Sequence, residues 1–389
     1  MAVLHVFAAC AASSRVSEYV PSATALETER KKIANLDIVT DPEAAAEEAG
    51  LRYGSDDQPG YTRKPKGDDF EYFDTKGEPI TDETRLLRIK RLAIPPAYTD
   101  VWICPTANGH LQATGRDARG RKQYRYHEKW REARDETKYD RMLIFGAALP
   151  KIRKRVESDL GLSGLPKNKV LATIVSIIER TFIRVGNEEY ARTNNSYGLT
   201  TMRNKHVAVK GSKVQFKFRG KSGVEHQLAI ADRRLARIVK KVQDLPGQEL
   251  FGFVDDEGNV QDVKSQDVND YLKEITGEDF TAKDFRTWAG TVLAAVALNA
   301  VEAFENKTQA KKNVKAAITA VSKILGNTPA VCRKCYVHPA VLETYLSGGM
   351  IEGLRRKTEQ ALAENLQDLR PVEAAVMSFL QARLAQAKS

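Results

Sequence analysis

The chain has 389 residues, of which 42% are apolar, and this predicts folded structure over most of its length, with room for two ordinary domains. Its 61 Lys and Arg residues against 51 Asp and Glu residues give a net charge of +10, which suits a polyanionic partner without proving one. Four cysteines are too few for the disulfide framework of a small secreted domain, and no apolar run approaches the roughly 20 residues that span a bilayer. We therefore expect a cytoplasmic protein from a reducing compartment, with no membrane segment.

The first segment, residues 1–46, is rich in Ala, Ser and Glu and shows no sustained strand pattern. Its only helix-like run is DPEAAAEEAG, at residues 41–50. No Lys or Arg precedes the mildly apolar start, so a signal peptide is not expected. We interpret residues 1–46 as a flexible leader.

Residues 47–131 are predicted to form a small, strand-rich domain. Turn pairs such as Pro59-Gly60 punctuate short aromatic and charged runs, which is typical of antiparallel strands. One helix is predicted at about Asp82–Ala93. Two further strand patterns flank Asn108-Gly109, a pair that favours a tight hairpin.

Residues 132–350 are predicted to form a larger, mainly helical domain, because apolar residues recur there at spacings of three to five. Residues 206–230 are the exception, since they alternate with period two around glycine-containing turns and predict a three-stranded meander. A helical tail, residues 351–389, completes an α+β protein.

The densest basic stretch is GRDARGRKQYRYHEKWREAR at Gly115–Arg134, which holds eight Arg or Lys residues against three acids. Arg and Lys neutralise phosphates, whereas the interleaved Gln and Tyr side chains can reach or stack on bases. The alternative is a solvated edge between a strand and a helix.

Four later motifs carry residues suited to phosphodiester chemistry, although each has a plainer explanation when taken alone. Arg184 lies near the end of an apolar helix, where an arginine is usually a cap or a solvated charge. Lys221 occupies the glycine-flanked tip of a hairpin, which is usually a solvated turn. Arg286 opens an Ala- and Val-rich helix with Lys283 one turn before it, an unfavourable arrangement unless a phosphate binds there. Tyr336 follows Asn327 by nine residues, and an isolated Tyr is usually a packing residue.

The run RDARGRKQYRYHEKW, together with these motifs in the same order, resembles the type IB DNA topoisomerases of the poxvirus and bacterial kind. The resemblance covers roughly residues 50–350. It implies an isomerase that relaxes positive and negative supercoils through a 3'-phosphotyrosyl intermediate, without ATP or metal. It also implies a C-shaped clamp around double-stranded DNA, a monomer, and a place in the cytoplasm at the bacterial nucleoid.

The resemblance also implies roles for individual residues. Tyr336 matches the nucleophile, Lys221 the general acid, and Arg184 and Arg286 the two catalytic arginines. Contacts with DNA are implied for another set of residues: Arg121, Lys122, Gln123, Tyr124, Tyr190 and Lys283. Asn327 departs from the usual pattern, because the family usually has His at that position, and an amide can donate a hydrogen bond but cannot carry charge.

Two rival functions share parts of this pattern. Tyrosine recombinases use the same Arg-Lys-Arg-Tyr chemistry but usually carry His-x-x-Arg at the second arginine, where this chain reads Lys283-Asp284-Phe285-Arg286. A non-catalytic DNA-binding protein could retain the clamp alone. The lone pair Cys332 and Cys335 is predicted to be packing and not a zinc site, since zinc needs further ligands. No GxxxxGK[ST] loop is present, so neither ATP nor another cofactor is expected.

Overall fold

The computed structural model describes residues 42–67, 69–118, 120–301, 304–349 and 370–387. These residues fall into two compact units, of which the first ends at Arg141 and the second begins at Met142. The sequence pattern placed this boundary ten residues earlier, where the helical periodicity begins. Within the described ranges, no helix is both long and apolar enough to cross a bilayer.

The first unit is built on a five-stranded antiparallel sheet. Its elements are α1 (Pro42–Glu48), β1 (Tyr61–Lys66), β2 (Asp69–Phe73), α2 (Glu83–Arg91), β3 (Thr99–Ile103), β4 (Leu111–Arg116) and β5 (Lys122–Tyr126). The strand order in the sheet is β2-β1-β3-β4-β5. The predicted helix near residues 82–93 and the two strands flanking Asn108-Gly109 are confirmed.

Helix α2 covers the sheet through a single buried side chain, Ile89, which packs with Tyr61 and Ile103. The helix begins where the carboxylate of Asp82 accepts the backbone N–H of Arg85 at 2.7 Å. Such a cap satisfies one of the four backbone donors that a helix start leaves unpaired.

Helix α1 lies partly within the predicted leader. Its Ala45 and Ala46 are buried against Leu51 and Trp130, so residues 42–46 belong to the first unit. The physical reason is that the acidic, alanine-rich run at residues 41–50 buries its small side chains on one face. Residues 1–41 lie outside the described part of the chain.

The second unit is mainly helical and contains a separate three-stranded antiparallel sheet, with the order β6-β7-β8, and a two-stranded one. Helix α3 (Glu128–Leu160) starts before the boundary and continues into this unit. The other elements are α4 (Lys167–Thr181), α5 (Glu188–Asn194), β6 (Val207–Lys210), β7 (Lys213–Arg219), β8 (Glu225–Ala231), α6 (Arg233–Gln243), β9 (Gly252–Val254), β10 (Val260–Asp262), α7 (Ser265–Thr276), α8 (Ala282–Asn299), α9 (Lys307–Leu325), α10 (Pro329–Tyr336), α11 (Pro339–Leu346) and α12 (Pro371–Ala387).

Helices α4 and α8 form the centre of the second unit, since two thirds of the residues of each are buried. Helix α9 packs on α8, and helix α10 packs on both. Helices α8, α9 and α10 are therefore held in place by the same apolar core.

Helix α12 belongs to the same core, although the sequence pattern set residues 351–389 apart as a tail. Its Met377 is buried, and a side chain added at Gly146 would meet the Met377 methyl group at 2.3 Å. The buried carboxylate of Glu373 accepts both Nη groups of Arg153, at 2.9 and 2.8 Å. A paired, hydrogen-bonded carboxylate can be buried where an isolated one could not. Residues 351–369 lie outside the described ranges.

Candidate active site

Arg286 lies at the centre of the site, on the second turn of helix α8. The helix begins one turn earlier than predicted, because Thr281 and Asp284 cap it reciprocally. Arg286 is only 3% exposed. Its Nη1 donates to the carbonyl oxygen of Phe182, and its Nη2 donates to that of Leu325 at 2.6 Å.

These two carbonyls stand two residues before Arg184 and two residues before Asn327. Arg286 therefore ties together the chain segments that carry two other candidate residues. Burial, and then the positive charge of Arg184, lower the pKa of the Arg286 guanidinium, which nevertheless remains charged. Within the described residues, its buried Nε has no hydrogen-bond acceptor.

Arg184 lies just beyond the end of an apolar helix, close to where the sequence pattern placed it. Helix α4 ends at Thr181, and Phe182 follows in the left-handed region, with φ of 57°. The backbone carbonyl of Arg184 accepts the N–H of Leu199 at 3.0 Å. Gly198 allows this approach, because a Cβ there would lie 2.5 Å from the α-carbon of Gly186.

Asn327 faces Arg184 directly. Helix α9 ends at Leu325, and Gly326 takes the left-handed conformation that turns the chain toward the site. The Nη2 of Arg184 donates to the Oδ1 of Asn327 at 2.5 Å. The Asn327 Nδ2 is buried and has no acceptor within the described residues.

Tyr336 is the last residue of helix α10 and is 8% exposed. Its ring lies under the guanidinium of Arg286, with 5.1 Å between the guanidinium carbon and the ring centroid. The Tyr336 carbonyl accepts the Thr291 hydroxyl at 3.3 Å. Gly290 packs against the same backbone, since a Cβ there would meet the Tyr336 carbonyl oxygen at 2.4 Å.

Lys221 lies in the short turn Lys221–Gly223, which joins strands β7 and β8. The residue is exposed, and it lines a surface cavity together with Arg184 and His226. The structure thus pairs Arg184 with Asn327 and Arg286 with Tyr336, and the backbone bonds of Arg286 link the two pairs. Lys221 lies at a cavity that Arg184 also lines.

The basic segment of the first unit lies on strands β4 and β5 and the turn between them. Tyr124 is half exposed and stacks on Tyr126, with 6.0 Å between ring centroids. Three of its predicted DNA-contacting residues touch carboxylates. The Lys122 ammonium lies 2.6 Å from Asp56, and Asp117 accepts Arg121 Nε at 2.8 Å and Gln123 Nε2 at 3.0 Å.

The remaining predicted contacts lie in the second unit. Lys283 is an exposed residue in the first turn of helix α8. Tyr190 belongs to helix α5, but its side chain lies outside the described part of the structure. Cys332 is buried beside Arg286, and burial raises the pKa of its thiol to about 11, so the thiol stays protonated near neutral pH.

Comparisons with known proteins show which family the chain resembles. The family model of the catalytic core of eukaryotic DNA topoisomerase I matches residues 127–374, and that of the bacterial DNA topoisomerase IB N-terminal domain matches residues 69–117. DNA topoisomerase 1B of Acanthamoeba polyphaga mimivirus is 35% identical over 295 residues, which cover 74% of this chain and 87% of that protein. DNA topoisomerase 1B of Vaccinia virus (strain Copenhagen) is 24% identical over 289 residues, covering 72% of this chain and 88% of that protein.

The chain belongs to the type IB DNA topoisomerases. Reasoning from the sequence of this topoisomerase missed two residues that the structure sets beside the predicted ones. Asp117 holds Arg121 and Gln123, and His226 borders the cavity of Lys221. An acid within a basic run and a lone His on a strand carry no distinguishing pattern, so only the folded geometry reveals them.

Proposed function

We propose that this chain relaxes positive and negative supercoils by cutting one strand of duplex DNA with Tyr336 and then resealing it. Membership of the type IB topoisomerases supports the reaction. The observation that carries the residue assignment is the convergence of Arg184, Asn327, Arg286 and Tyr336, which lie far apart in the sequence.

In the proposed cleavage step, the Tyr336 hydroxyl oxygen attacks the scissile phosphorus and loses its proton to water. A 3'-phosphotyrosine ester forms as the bond to the 5' oxygen breaks. The ester conserves the energy of the broken bond, which is why resealing needs no nucleotide. Torsion rotates the free end, and the 5' hydroxyl then attacks the ester and releases Tyr336.

Arg184, Arg286 and Asn327 would stabilise the negative charge of the pentacoordinate transition state. The buried Asn327 Nδ2 and Arg286 Nε, both without an acceptor in the described residues, support this role. Buried donors that are already oriented toward a developing charge stabilise the transition state more than donors in water, because they need no rearrangement during the reaction. The guanidinium of Arg184 already fixes the orientation of the Asn327 amide.

Lys221 would protonate the 5' oxygen as it leaves, since an alkoxide is a poor leaving group at neutral pH. Its exposed position at the tip of a hairpin supports access to DNA, and its cavity adjoins Arg184. We expect the Lys221→Ala variant to cleave slowly and to recover on DNA in which sulfur replaces the scissile 5' oxygen.

For DNA binding, we propose that Gln123 and Tyr124 lie against bases in the major groove while Arg121 and Lys122 neutralise phosphates. Lys283 and Tyr190, which belong to the second unit, would contact phosphates of the DNA backbone. The enzyme would act as a monomer in the form of a C-shaped clamp, in the cytoplasm at the nucleoid. The match of the first unit to a bacterial N-terminal domain supports this setting.

The deciding experiment compares the unmodified chain with Tyr336→Phe on supercoiled plasmid, in EDTA and without ATP. We expect relaxation only by the unmodified chain. The variant should keep nearly all of its DNA affinity, since phosphate contacts dominate the interface. A second assay traps the covalent complex on end-labelled duplex and maps the linkage. Equal relaxation by both proteins, or an adduct with Tyr336→Phe, would overturn the assignment.

A further inference from the structure

His226 joins two parts of the active site that come from distant segments of the chain. It lies on strand β8 directly opposite Phe218 of β7, and the two rings stack with 5.0 Å between centroids and 13° between planes. The imidazole is half buried and lines the cavity that Lys221 and Arg184 also line.

Two glycines make room for this imidazole. A Cβ at Gly220 would lie 2.6 Å from His226 Cδ2, and a Cβ at Gly326 would lie 2.5 Å from His226 Cε1. Gly220 immediately precedes Lys221, and Gly326 immediately precedes Asn327. The ring therefore lies between the backbone that carries one candidate catalytic residue and the backbone that carries another.

Arg184 and Arg286 favour the neutral form of His226, whereas Glu225 opposes it. Arg184 and Arg286 face it from the core, Glu225 precedes it on β8, and Lys221 shares its cavity. Burial, followed by the positive charges of Arg184 and Arg286, lowers the pKa of the imidazole. An uncharged ring can thus fill the space between the two segments without adding repulsion to the arginines.

We propose that His226 is a positioning residue, whose ring sets the distance between the Lys221 hairpin and the Asn327 segment and so holds the Lys221 ammonium at the departing 5' oxygen. The inference rests on the proposed role of Lys221 and deepens it. His226 itself touches no reacting atom. Because general-acid catalysis depends on hydrogen-bond distance, a shifted hairpin slows proton delivery without removing the lysine.

The test measures single-turnover cleavage of two duplexes, one with the natural 5' oxygen and one with sulfur at that position. On natural DNA we expect His226→Ala to slow cleavage by roughly 10- to 100-fold, the loss that a misplaced catalytic group produces. On the sulfur duplex, whose leaving group needs no proton, we expect near-normal cleavage. A general packing defect would slow both substrates equally and would overturn the proposal.

Two further variants keep the test informative. Gly220→Ala, at a backbone conformation open to alanine, crowds the imidazole from the opposite side and should give the same substrate-dependent loss. In the double variant with His226→Ala, the added methyl meets no imidazole and only touches the Phe218 ring at 3.6 Å, an ordinary contact. We therefore expect Gly220→Ala to slow cleavage less in that background. If Gly220→Ala slows cleavage equally with and without His226, the contact between Gly220 and the imidazole is contradicted.

Lys221→Ala, measured in parallel, distinguishes failure of the general-acid role of Lys221 from failure of the positioning role of His226. If the sulfur duplex does not rescue Lys221→Ala, the general-acid role itself fails. If it rescues Lys221→Ala but not His226→Ala, only the positioning role fails. His206→Ala serves as the matched control, since His206 is another buried histidine, packed on Tyr197, that touches neither glycine.

Discussion

The side chains of Arg184 and Asn327 meet across 143 positions of the sequence, with 2.5 Å between Nη2 and Oδ1. An arginine can only donate, so the Asn327 amide must turn its oxygen toward Arg184 and its NH₂ group away. That NH₂ group is buried and finds no acceptor in the residues that the structure describes. A buried donor left unpaired costs free energy, and a phosphate oxygen would recover it.

Asn327→Ala should therefore slow cleavage by roughly 10²–10³-fold, the usual effect of removing one donor to a developing oxyanion. Asn327→Asp should be slower still, because a carboxylate pairs with Arg184 and repels the phosphate. Equilibrium binding to uncleaved duplex should change little in the alanine variant. Single-turnover cleavage gives the rates, and an alanine variant as fast as the unmodified chain would exclude Asn327 from the transition state.

Local sequence patterns predict some features of this fold and miss others. The strand-rich and helical regions follow from periodicity, and helix α2 follows from its Asp82 cap, because these signals are local. The turn between helix α4 and Arg184 does not follow from a local signal, since Phe182 ends the helix in a left-handed conformation without a glycine. The bonds of Arg286 to Phe182 and Leu325 are tertiary and leave no local mark.

The contact between Gly290 and Tyr336 predicts that alanine at position 290 destabilises the protein, the opposite of its usual effect inside a helix. Glycine to alanine inside a helix ordinarily stabilises by about 1 kcal/mol. At Gly290 the new Cβ would meet the Tyr336 carbonyl oxygen at 2.4 Å, and a backbone atom cannot turn aside as a side chain can.

Gly290→Ala should therefore lower the melting temperature and reduce covalent adduct formation, because it displaces the end of helix α10. Thermal unfolding and trapping on end-labelled DNA measure the two effects. Gly161→Ala provides the matched control, since a Cβ there meets only the Ser158 carbonyl oxygen, at 3.1 Å, at the exposed end of helix α3. A Gly290→Ala protein that is more stable and fully active would contradict the contact.

If Arg121 and Gln123 contact DNA as proposed, Asp117 would compete with DNA for both side chains. Its carboxylate accepts Arg121 and Gln123 in the DNA-free structure, and those contacts must weaken before either side chain turns to a base or a phosphate. Asp117→Asn also removes a negative charge from this surface. We expect tighter duplex binding, by several-fold at low salt, with the difference shrinking as salt rises.

Fluorescence anisotropy across a salt series measures the effect of Asp117→Asn. Asp74→Asn is the control, because Asp74 likewise caps a turn in the first unit through backbone N–H groups but accepts neither Arg121 nor Gln123. Equal gains in both variants would assign the effect to net charge alone. Weaker binding by Asp117→Asn would mean that the carboxylate preorganises the surface.

Glu249 gives a prediction about stability and pH that is independent of catalysis. Its Oε2 is buried and has no hydrogen-bond donor within the described residues, and Leu250 beside it is fully buried. Burial, and then the negative charge of Asp262, raise the pKa of the Glu249 carboxyl from 4.5 to about 7, against the opposing effect of Arg203. The folded protein therefore holds this proton more tightly than the unfolded chain does.

Because the pKa is raised on folding, the stabilising effect of the protonated carboxyl is complete below about pH 4.5 and is lost as the pH rises through about 7. Glu249→Gln, which mimics the protonated acid, should raise the melting temperature at pH 8 and change it little at pH 4.5. Glu257→Gln removes the same charge from an exposed turn nearby and should show no such pH dependence. If the gain from Glu249→Gln is the same at both pH values, the ionised carboxylate at Glu249 is not the source of the lost stability.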